Sequence, residues 1–271
     1  MSDLEGQVVA LHHRSLGRPA DVVSTRIVLL HGFTQNSSCW GRFADRLAEV
    51  AAVTMVDLPG HGRSAHDDAD LWTTAELVAD VIRDVADGEP ALVVGYSMGG
   101  RTALHLALAH PELVAGLVTI GATGGLDTEA ERADRRAADE VLAARLEEIG
   151  LAAFLDRWLA NPLFAGLDEA AAARAERLTN REAGLAASLC HVGTGTQEPL
   201  WDRLGSIEAP LLAIAGADDA KFTALGQRIV DAVGANASLH LEPGTHAVHL
   251  EQPDATADAI LGWSAGWWER Q

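Results

Sequence analysis

The chain has 271 residues, 48% hydrophobic and 22% charged, proportions typical of a globular protein with a sizeable core. Its formal net charge of −19 argues against nucleic acid and anionic membranes as partners, because the overall field repels both. The start of the chain does not resemble a signal peptide, no apolar run approaches the ~18 residues of a membrane span, and Cys39 and Cys190 lie far apart, so we expect a cytoplasmic protein.

Short apolar runs rich in β-branched residues alternate with amphipathic helical stretches in the first half of the chain. We predict strands in RIVLLHG (26–32), VTMVDLPG (53–60), ALVVGYS (91–97) and VAGLVTIG (114–121). Helices are predicted between them, over residues 39–51, 73–87 and 98–110. This alternation is typical of βαβ units in a parallel, doubly wound sheet.

The alternation stops at about Asp127 and does not resume until after Leu200. The segment between is rich in alanine, glutamate and arginine, has helical periodicity and contains no strand candidate. We predict three or four helices there, with breaks at Asn161–Pro162 and around Gly193.

The sheet pattern returns in APLLAIAGADD (209–219) and ASLHLEPGTH (237–246), and a last helix is predicted over about 253–268. The simplest organisation is one α/β core interrupted by an inserted helical cap. The predicted division gives residues 1–126 and 201–271 to the core and residues 127–200 to the cap.

Gly95-Tyr96-Ser97-Met98-Gly99 fits the G-x-S-x-G nucleophile elbow, in which a strand turns sharply into a helix and presents a serine at the corner. The motif alone is weak. Here, however, a predicted strand precedes it and a predicted helix follows it, as the elbow requires. We therefore interpret Ser97 as a catalytic serine rather than as a structural turn serine.

In this motif class an acid and then a histidine follow the serine along the chain. Asp218 and Asp219 follow one later predicted strand, and His246 follows the next. Because aspartate also begins helices, one of the two is expected to be a helix cap and the other to orient His246. We favour Asp219 as the orienting residue, and we expect His249 to be packed or solvated.

The turn after the first predicted strand, in LLHGF, is expected to contribute to an oxyanion hole. The backbone N–H groups of Phe33 and Met98 are the natural pair of donors. His31, and His61 in DLPGHGRS, are expected to be structural. We expect neither a metal nor a cofactor, since no His/Cys/Glu cluster has ligand spacing and no G-x-G-x-x-G follows a strand.

Arg101 lies four residues after Ser97, so it occupies nearly the same face of the predicted helix, one turn along. A planar guanidinium near the serine would bind a carboxylate through two hydrogen bonds. The alternative is an ordinary surface ion pair. The spacing alone leaves both interpretations open.

Together, HGF, DLPGHGRS, GYSMGG, the later acid and the last histidine resemble the α/β-hydrolase superfamily over nearly the whole chain. This resemblance implies the α/β-hydrolase fold, which supports many reactions. The stretches AERADRR, FLDRWLANPLFAGL, RLTNREAGLAASLCHVGTGTQEPLW and GADDAKF are further similar to the 2-succinyl-6-hydroxy-2,4-cyclohexadiene-1-carboxylate synthases of menaquinone biosynthesis. That family eliminates pyruvate from a small substrate with three carboxylates and hydrolyses nothing.

The resemblance implies roles for individual residues of this chain. Ser97, His246 and Asp219 would form a triad that abstracts a proton. Carboxylates would be held by Arg101, Arg135 and Arg177, and the pocket would be lined by Tyr96, Trp158, Phe164 and Lys221. Arg181 is an alternative to Arg177.

Two other classes of function remain as alternatives. A serine hydrolase of the same fold, either a carboxylesterase or a C–C bond hydrolase, would use the same triad on an acidic substrate. A non-catalytic ligand receptor would keep the pocket and lose the chemistry. The sequence leaves open whether the protein is a monomer or a homo-oligomer.

Overall fold

A seven-stranded sheet runs through the protein, whose computed structural model describes residues 10–18, 25–65 and 67–268. The strand order is β1-β3-β2-β4-β5-β6-β7, and among these described strands only β1 runs antiparallel to its neighbour. The strands are β1 His13–Gly17, β2 Arg26–Leu30, β3 Ala52–Val56, β4 Ala91–Tyr96, β5 Val114–Ile120, β6 Leu211–Gly216 and β7 Ala237–Glu242.

Helices follow most of the strands, and four of them lie together between β5 and β6. The helices are α1 Gly41–Ala48, α2 Leu71–Val85, α3 Met98–Ala109, α4 Glu129–Leu159, α5 Glu169–Ala172, α6 Arg174–Arg177, α7 Glu182–Val192, α8 Ala220–Val233, α9 Val248–Glu251 and α10 Pro253–Trp268. In the ranges that the structure describes, none of them combines the length and the apolar character needed to cross a membrane.

The central strands are apolar on both faces because helices cover both faces of the sheet. In β2, Val28 and Leu30 pack in the core shared with α2, α3 and α8, whereas Ile27 and Leu29 pack in the core shared with α1 and α10. All four side chains are buried, as the two-residue period of a strand requires. This arrangement confirms the predicted doubly wound, mostly parallel sheet.

Strand β1 was not among the predicted strands. It pairs with β3 at one edge of the sheet, and four of its five residues are exposed. An edge strand with little buried surface needs no apolar run, so its sequence HRSLG carries no strand signal.

The segment between β5 and β6 is helical, and no strand lies within residues 127–200, all of which the structure describes. Helix α4 begins with a capping box between Thr128 and Glu131 and is kinked at Gly150, where φ is 77°. It packs on α7 through a small core of its own, which includes Leu146, Phe154, Leu155, Leu185 and Leu189. This separate core supports the division into core and cap, which we retain as a proposal. Residues 1–9, 19–24, 66 and 269–271 of the predicted core lie outside the described residues.

Candidate active site

The turn between β4 and α3 holds Ser97 in a conformation that few residues other than glycine adopt, with φ 51° and ψ −106°. The flanking glycines make this turn sterically possible. A Cβ on Gly95 would lie 2.3 Å from the carbonyl oxygen of Gly99, and a Cβ on Gly99 would lie 1.9 Å from that of Leu30. The strained corner therefore presents the serine hydroxyl at the carboxyl end of the sheet.

Three side chains meet at this edge of the sheet. Nε2 of His246, after β7, lies 3.2 Å from Oγ of Ser97, and Nδ1 of the same ring lies 3.2 Å from Oδ2 of Asp219, after β6. His246 and Asp219 are buried and Ser97 is half-buried. Because β4, β6 and β7 run parallel, their carboxyl ends bring together residues that are up to 149 positions apart.

Asp219 has a second hydrogen bond, because its Oδ1 accepts the backbone N–H of Phe222 at 3.1 Å and so begins α8. Burial alone would raise the pKa of the Asp219 carboxyl, but the hydrogen bonds from His246 and Phe222 outweigh burial and hold this pKa below its usual value. Asp218 is exposed. The expectation that the two aspartates divide capping and orientation is therefore wrong, since Asp219 is placed to do both.

Two residues with a backbone N–H donor border the same cavity as Ser97. The turn after β2 fixes Phe33, because the N–H of Gly32 donates to Oε1 of Gln35 at 2.9 Å. Met98 is the first residue of α3, where backbone N–H groups have no partner within the helix. Neither the Phe33 nor the Met98 N–H donates to another group in the described chain, and both residues line the cavity beside Ser97.

His31 and His61 fix the loops behind these donors. In His31, Nδ1 donates to the carbonyl of Gly32 at 2.9 Å, and Nε2 accepts the N–H of Leu58 at 3.0 Å. In His61, Nδ1 donates to the carbonyl of Pro59 at 2.9 Å. Burial lowers the pKa to about 4 for His31 and about 3 for His61, so both rings are neutral at pH 7. These contacts are structural ones.

A cavity of about 160 Å³ opens beside Ser97, between the sheet edge and helices α4 and α7. Part of its wall is apolar and aromatic, formed mainly by Phe33, Trp158, Phe164, Leu189 and Val192. Four cationic side chains also line it, and no carboxylate of the described chain does. The seven predicted substrate-binding residues all border it, namely Tyr96, Arg101, Arg135, Trp158, Phe164, Arg177 and Lys221.

Arg101 is only 8% exposed, and no carboxylate of the described chain lies within ion-pairing distance of it. Its Nη1 donates to Oε1 of Gln197 at 3.3 Å. Burial lowers the pKa of the Arg101 guanidinium to about 10, which leaves it charged at neutral pH. A buried charge without a counter-ion is costly, so this geometry favours binding of an anionic ligand.

Arg177 is buried to 1% exposure and likewise has no carboxylate partner among the described residues. Its Nε donates to the carbonyl of Ala172 at 2.8 Å, and its Nη1 donates to Oγ1 of Thr34. Arg181, the predicted alternative, instead pairs with Asp67 at 2.6 Å on the surface. The structure thus brings Arg177 to the cavity and leaves Arg181 outside it.

The third arginine of the cavity has a different environment. Arg135 is exposed, and its Nε lies 2.9 Å from Oδ1 of the buried Asp139, one turn along α4. Burial raises the pKa of the Asp139 carboxyl above its usual value despite the nearby guanidinium. Arg132 and Arg136 pair with Glu129, outside the cavity.

The sequence did not predict the partners of these three arginines. They are Gln197 for Arg101, Thr34 for Arg177 and Asp139 for Arg135. For Asp139 a signal existed, because it lies four residues after Arg135 on a predicted helix. Gln197 and Thr34 lie far along the chain from the arginines that they contact, and no spacing rule joins them.

Comparison with known proteins agrees with this geometry. A model of the alpha/beta hydrolase family matches residues 27–259, and the chain belongs to that family. Within it, the chain is similar to 2-succinyl-6-hydroxy-2,4-cyclohexadiene-1-carboxylate synthases. The enzyme of that name from Citrobacter koseri is 32% identical, over 86% of this chain and 91% of that protein. A Bacillus subtilis protein whose name gives the same activity provisionally is 36% identical, over 85% and 86% respectively.

A solved structure, that of MenH from S. aureus, superposes with a TM-score of 0.86 at 28% sequence identity, covering 94% of this chain and 98% of that one. The match includes the cap, because 94% of this chain is more than the core alone contains. These likenesses confirm both resemblances drawn from the sequence.

Proposed function

We propose that the protein is a lyase of menaquinone biosynthesis. It eliminates pyruvate from 2-succinyl-5-enolpyruvyl-6-hydroxy-3-cyclohexene-1-carboxylate and releases 2-succinyl-6-hydroxy-2,4-cyclohexadiene-1-carboxylate. One observation carries this proposal: a serine–histidine–aspartate set opens on a cavity that holds two buried arginines, Arg101 and Arg177, without carboxylate partners in the described chain. A substrate with three carboxylates supplies the missing negative charge.

The chemistry begins with proton transfer from the serine. His246, oriented by Asp219, accepts the proton of the Ser97 hydroxyl across 3.2 Å. The serine oxygen then removes the ring proton α to the succinyl ketone. The electron pair of that C–H bond forms an enolate, so no acyl-enzyme is required.

Backbone donors stabilise this enolate. The N–H groups of Phe33 and Met98 have no other partner in the described chain and are available for the developing negative charge on the ketone oxygen. Loss of one such donor costs about 3–4 kcal/mol of transition-state stabilisation. As the enolate collapses, its electrons pass through the ring alkene and break the carbon–oxygen bond to the enolpyruvyl group, which leaves as pyruvate enolate and takes up a proton.

The cationic wall orients the substrate for this step. Arg101 and Arg177 are buried, so each forms a stronger pair with a carboxylate than a surface arginine does. Arg135 lies at the more exposed side of the cavity. Trp158 and Phe164 contribute apolar wall that limits the access of water, which an elimination does not need.

The substrate is thus a small polycarboxylate, and we also propose a cytoplasmic location. The location is supported by the two free cysteines, Cys39 and Cys190, which suit a reducing compartment.

The test is pyruvate release from freshly prepared 2-succinyl-5-enolpyruvyl-6-hydroxy-3-cyclohexene-1-carboxylate, with p-nitrophenyl acetate hydrolysis in parallel. Wild type is compared with Ser97→Ala and with Ser206→Ala, a matched change at an exposed serine that does not line the cavity. Fast pyruvate release that needs Ser97 but not Ser206, with feeble ester cleavage, is the expected result. Brisk ester cleavage without pyruvate would instead favour a serine hydrolase, whose acyl transfer uses the same triad and paired donors.

A further inference from the structure

Thr34 lies directly after Phe33, is fully buried and has φ 69°. Positive φ is uncommon outside glycine, and for a β-branched residue it is an outlier. The N–H of Gln35 donates to the carbonyl of Gly32 at 3.1 Å, so Thr34 is the third residue of a β-turn. Positive φ at that position characterises type II turns, which favour glycine or asparagine there. The surroundings must therefore hold this residue in place.

Two side chains of the cap hold it. Arg177 donates from Nη1 to the Thr34 hydroxyl, and Asn180 donates from Nδ2 to the Thr34 carbonyl at 2.7 Å. Asn180 is itself fixed, because its Oδ1 accepts the N–H of Gly62 at 2.6 Å. The turn that carries the Phe33 N–H is thus attached to the cap through both its backbone and its side chain.

One nitrogen of the Arg177 guanidinium has no hydrogen-bond partner in the described chain. Its Nε and Nη1 donate to Ala172 and Thr34, whereas its Nη2 donates to nothing in the described chain, and the residue lines the cavity. The guanidinium group is planar and rigid. A ligand carboxylate that binds Nη2 therefore also fixes the direction in which Nη1 meets Thr34.

We propose that Thr34 is a positioning residue, through which a substrate carboxylate bound at Arg177 sets the Phe33 N–H in the oxyanion hole. This inference rests on the proposed function, which gives Arg177 and Phe33 their roles. The carboxylate at Arg177 contributes to binding, and the Thr34 contact lets it act on the transition state as well, so loss of the Thr34 contact falls on kcat. The cavity would select against acids that lack this carboxylate by turning them over slowly.

The first test replaces Thr34 by valine, which keeps the branched shape and removes the hydroxyl acceptor. We expect kcat for pyruvate release to fall about 10–100-fold with KM changed by less than about twofold, as for a misplaced transition-state donor. Thr34→Ser keeps the acceptor and should restore kcat. The matched control is Thr74→Val, at a buried threonine of α2 whose hydroxyl donates to the backbone carbonyl of Asp70 at 2.6 Å, and it should leave kcat unchanged.

Thr34→Gly separates positioning from turn geometry. Glycine adopts positive φ without strain, so this variant folds even if the valine variant does not. If Thr34 only shapes the turn, Thr34→Gly keeps full activity. If it transmits the position of Arg177, Thr34→Gly loses kcat as Thr34→Val does.

A double-mutant cycle completes the test. In an Arg177→Met background, Thr34→Val should lower kcat by less than about twofold, because the contact is already lost; independent, multiplicative losses would overturn the inference. An unchanged kcat in both Thr34→Val and Thr34→Gly, with wild type releasing pyruvate, would overturn this inference alone. A wild type that releases no pyruvate would overturn the proposed function as well.

Discussion

The carboxylate of Asp219 holds His246 through one oxygen, 3.2 Å from Nδ1, and begins helix α8 through the other. One side chain therefore links the position of His246, the proposed catalytic base, to the start of a helix. Because the helix N-terminus anchors the carboxylate, the imidazole has a partner with little freedom to move.

Replacing Asp219 by asparagine should separate these two roles. Asparagine caps helices as well as aspartate does, so the melting temperature should change little. Activity should fall about 10⁴-fold in kcat, because an amide neither balances the imidazolium charge nor fixes the tautomer. Pyruvate-release kinetics and thermal unfolding of Asp219→Asn check both points.

Asp218→Asn is the matched control for that change, at an exposed neighbouring carboxylate. It should keep wild-type kcat. Equal losses of activity in the two variants would contradict the assignment of Asp219 as the orienting acid.

Arg101→Met should raise KM for the tricarboxylate substrate about 10²-fold, because a buried charge-assisted pair is lost. Hydrolysis of p-nitrophenyl acetate, which has no carboxylate, should be unaffected. Arg181→Met removes a surface arginine paired with Asp67 and should leave KM unchanged. Steady-state kinetics on both substrates test this, and an unaltered KM in Arg101→Met would rule out a carboxylate at this position.

Gly121→Ala should disable the enzyme without unfolding it. At this residue φ is 58°, and an added Cβ would lie 2.8 Å from Cε1 of His246, so the imidazole must leave its position beside Ser97. We expect kcat to fall at least about 10²-fold. The control is Gly234→Ala, where φ is 90° and no atom lies within 4 Å of the added Cβ. It also places an alanine at positive φ, and if it lowered kcat equally the loss would not come from His246.

His249 is buried among aromatic rings, with its centroid 4.3 Å from that of Tyr96 and contacts to Trp40 and Phe43. Neither of its ring nitrogens has a hydrogen-bond partner in the described chain. It was expected to be packed or solvated, and it is packed. Burial lowers the pKa of His249 to about 3, so the folded protein keeps this ring neutral.

This depressed pKa makes the fold sensitive to acid. Below about pH 6.5 the unfolded chain binds a proton at His249 that the folded chain does not bind until about pH 3. The contribution of the neutral His249 to the free energy of unfolding is therefore complete above pH 6.5 and is lost as the pH falls towards 3. Over this range the free energy of unfolding falls by up to about 1.4 kcal/mol per pH unit. In His249→Phe, unfolding should take up about one proton fewer, so the free energy of unfolding should depend less on pH. Denaturant midpoints at pH 7.5 and 5 measure this. A slope equal to that of wild type would contradict the buried, neutral state of His249.

The parts of the site that sequence could predict are those joined by local patterns. Ser97 follows a strand and precedes a helix, and its acid and histidine follow later strands in the order that the elbow motif sets. Parallel strands bring their carboxyl ends to one edge, so the order of elements along the chain was enough to place the three residues together. Arg101 could be predicted as a candidate site residue because it lies one helical turn from Ser97.

The parts of the site that could not be predicted depend on contacts that no sequence periodicity links. Arg177 meets Thr34 across 143 positions and Arg101 meets Gln197 across 96, and no repeat or motif connects these residues. Strand β1 escaped for another reason, since an exposed edge needs no apolar pattern. Propensity and periodicity report burial and local geometry, whereas these contacts depend on how the cap is folded over the core.

The unpaired charges of Arg101 and Arg177 also affect how the enzyme responds to its medium. Because neither guanidinium forms an ion pair with a carboxylate of the described residues, small anions of the solution compete for both groups. Phosphate, sulfate and simple dicarboxylates should act as competitive inhibitors, so the apparent affinity for substrate depends on the buffer chosen. Only an acid whose carboxylates reach both arginines at once gains the advantage of two linked contacts over these competitors.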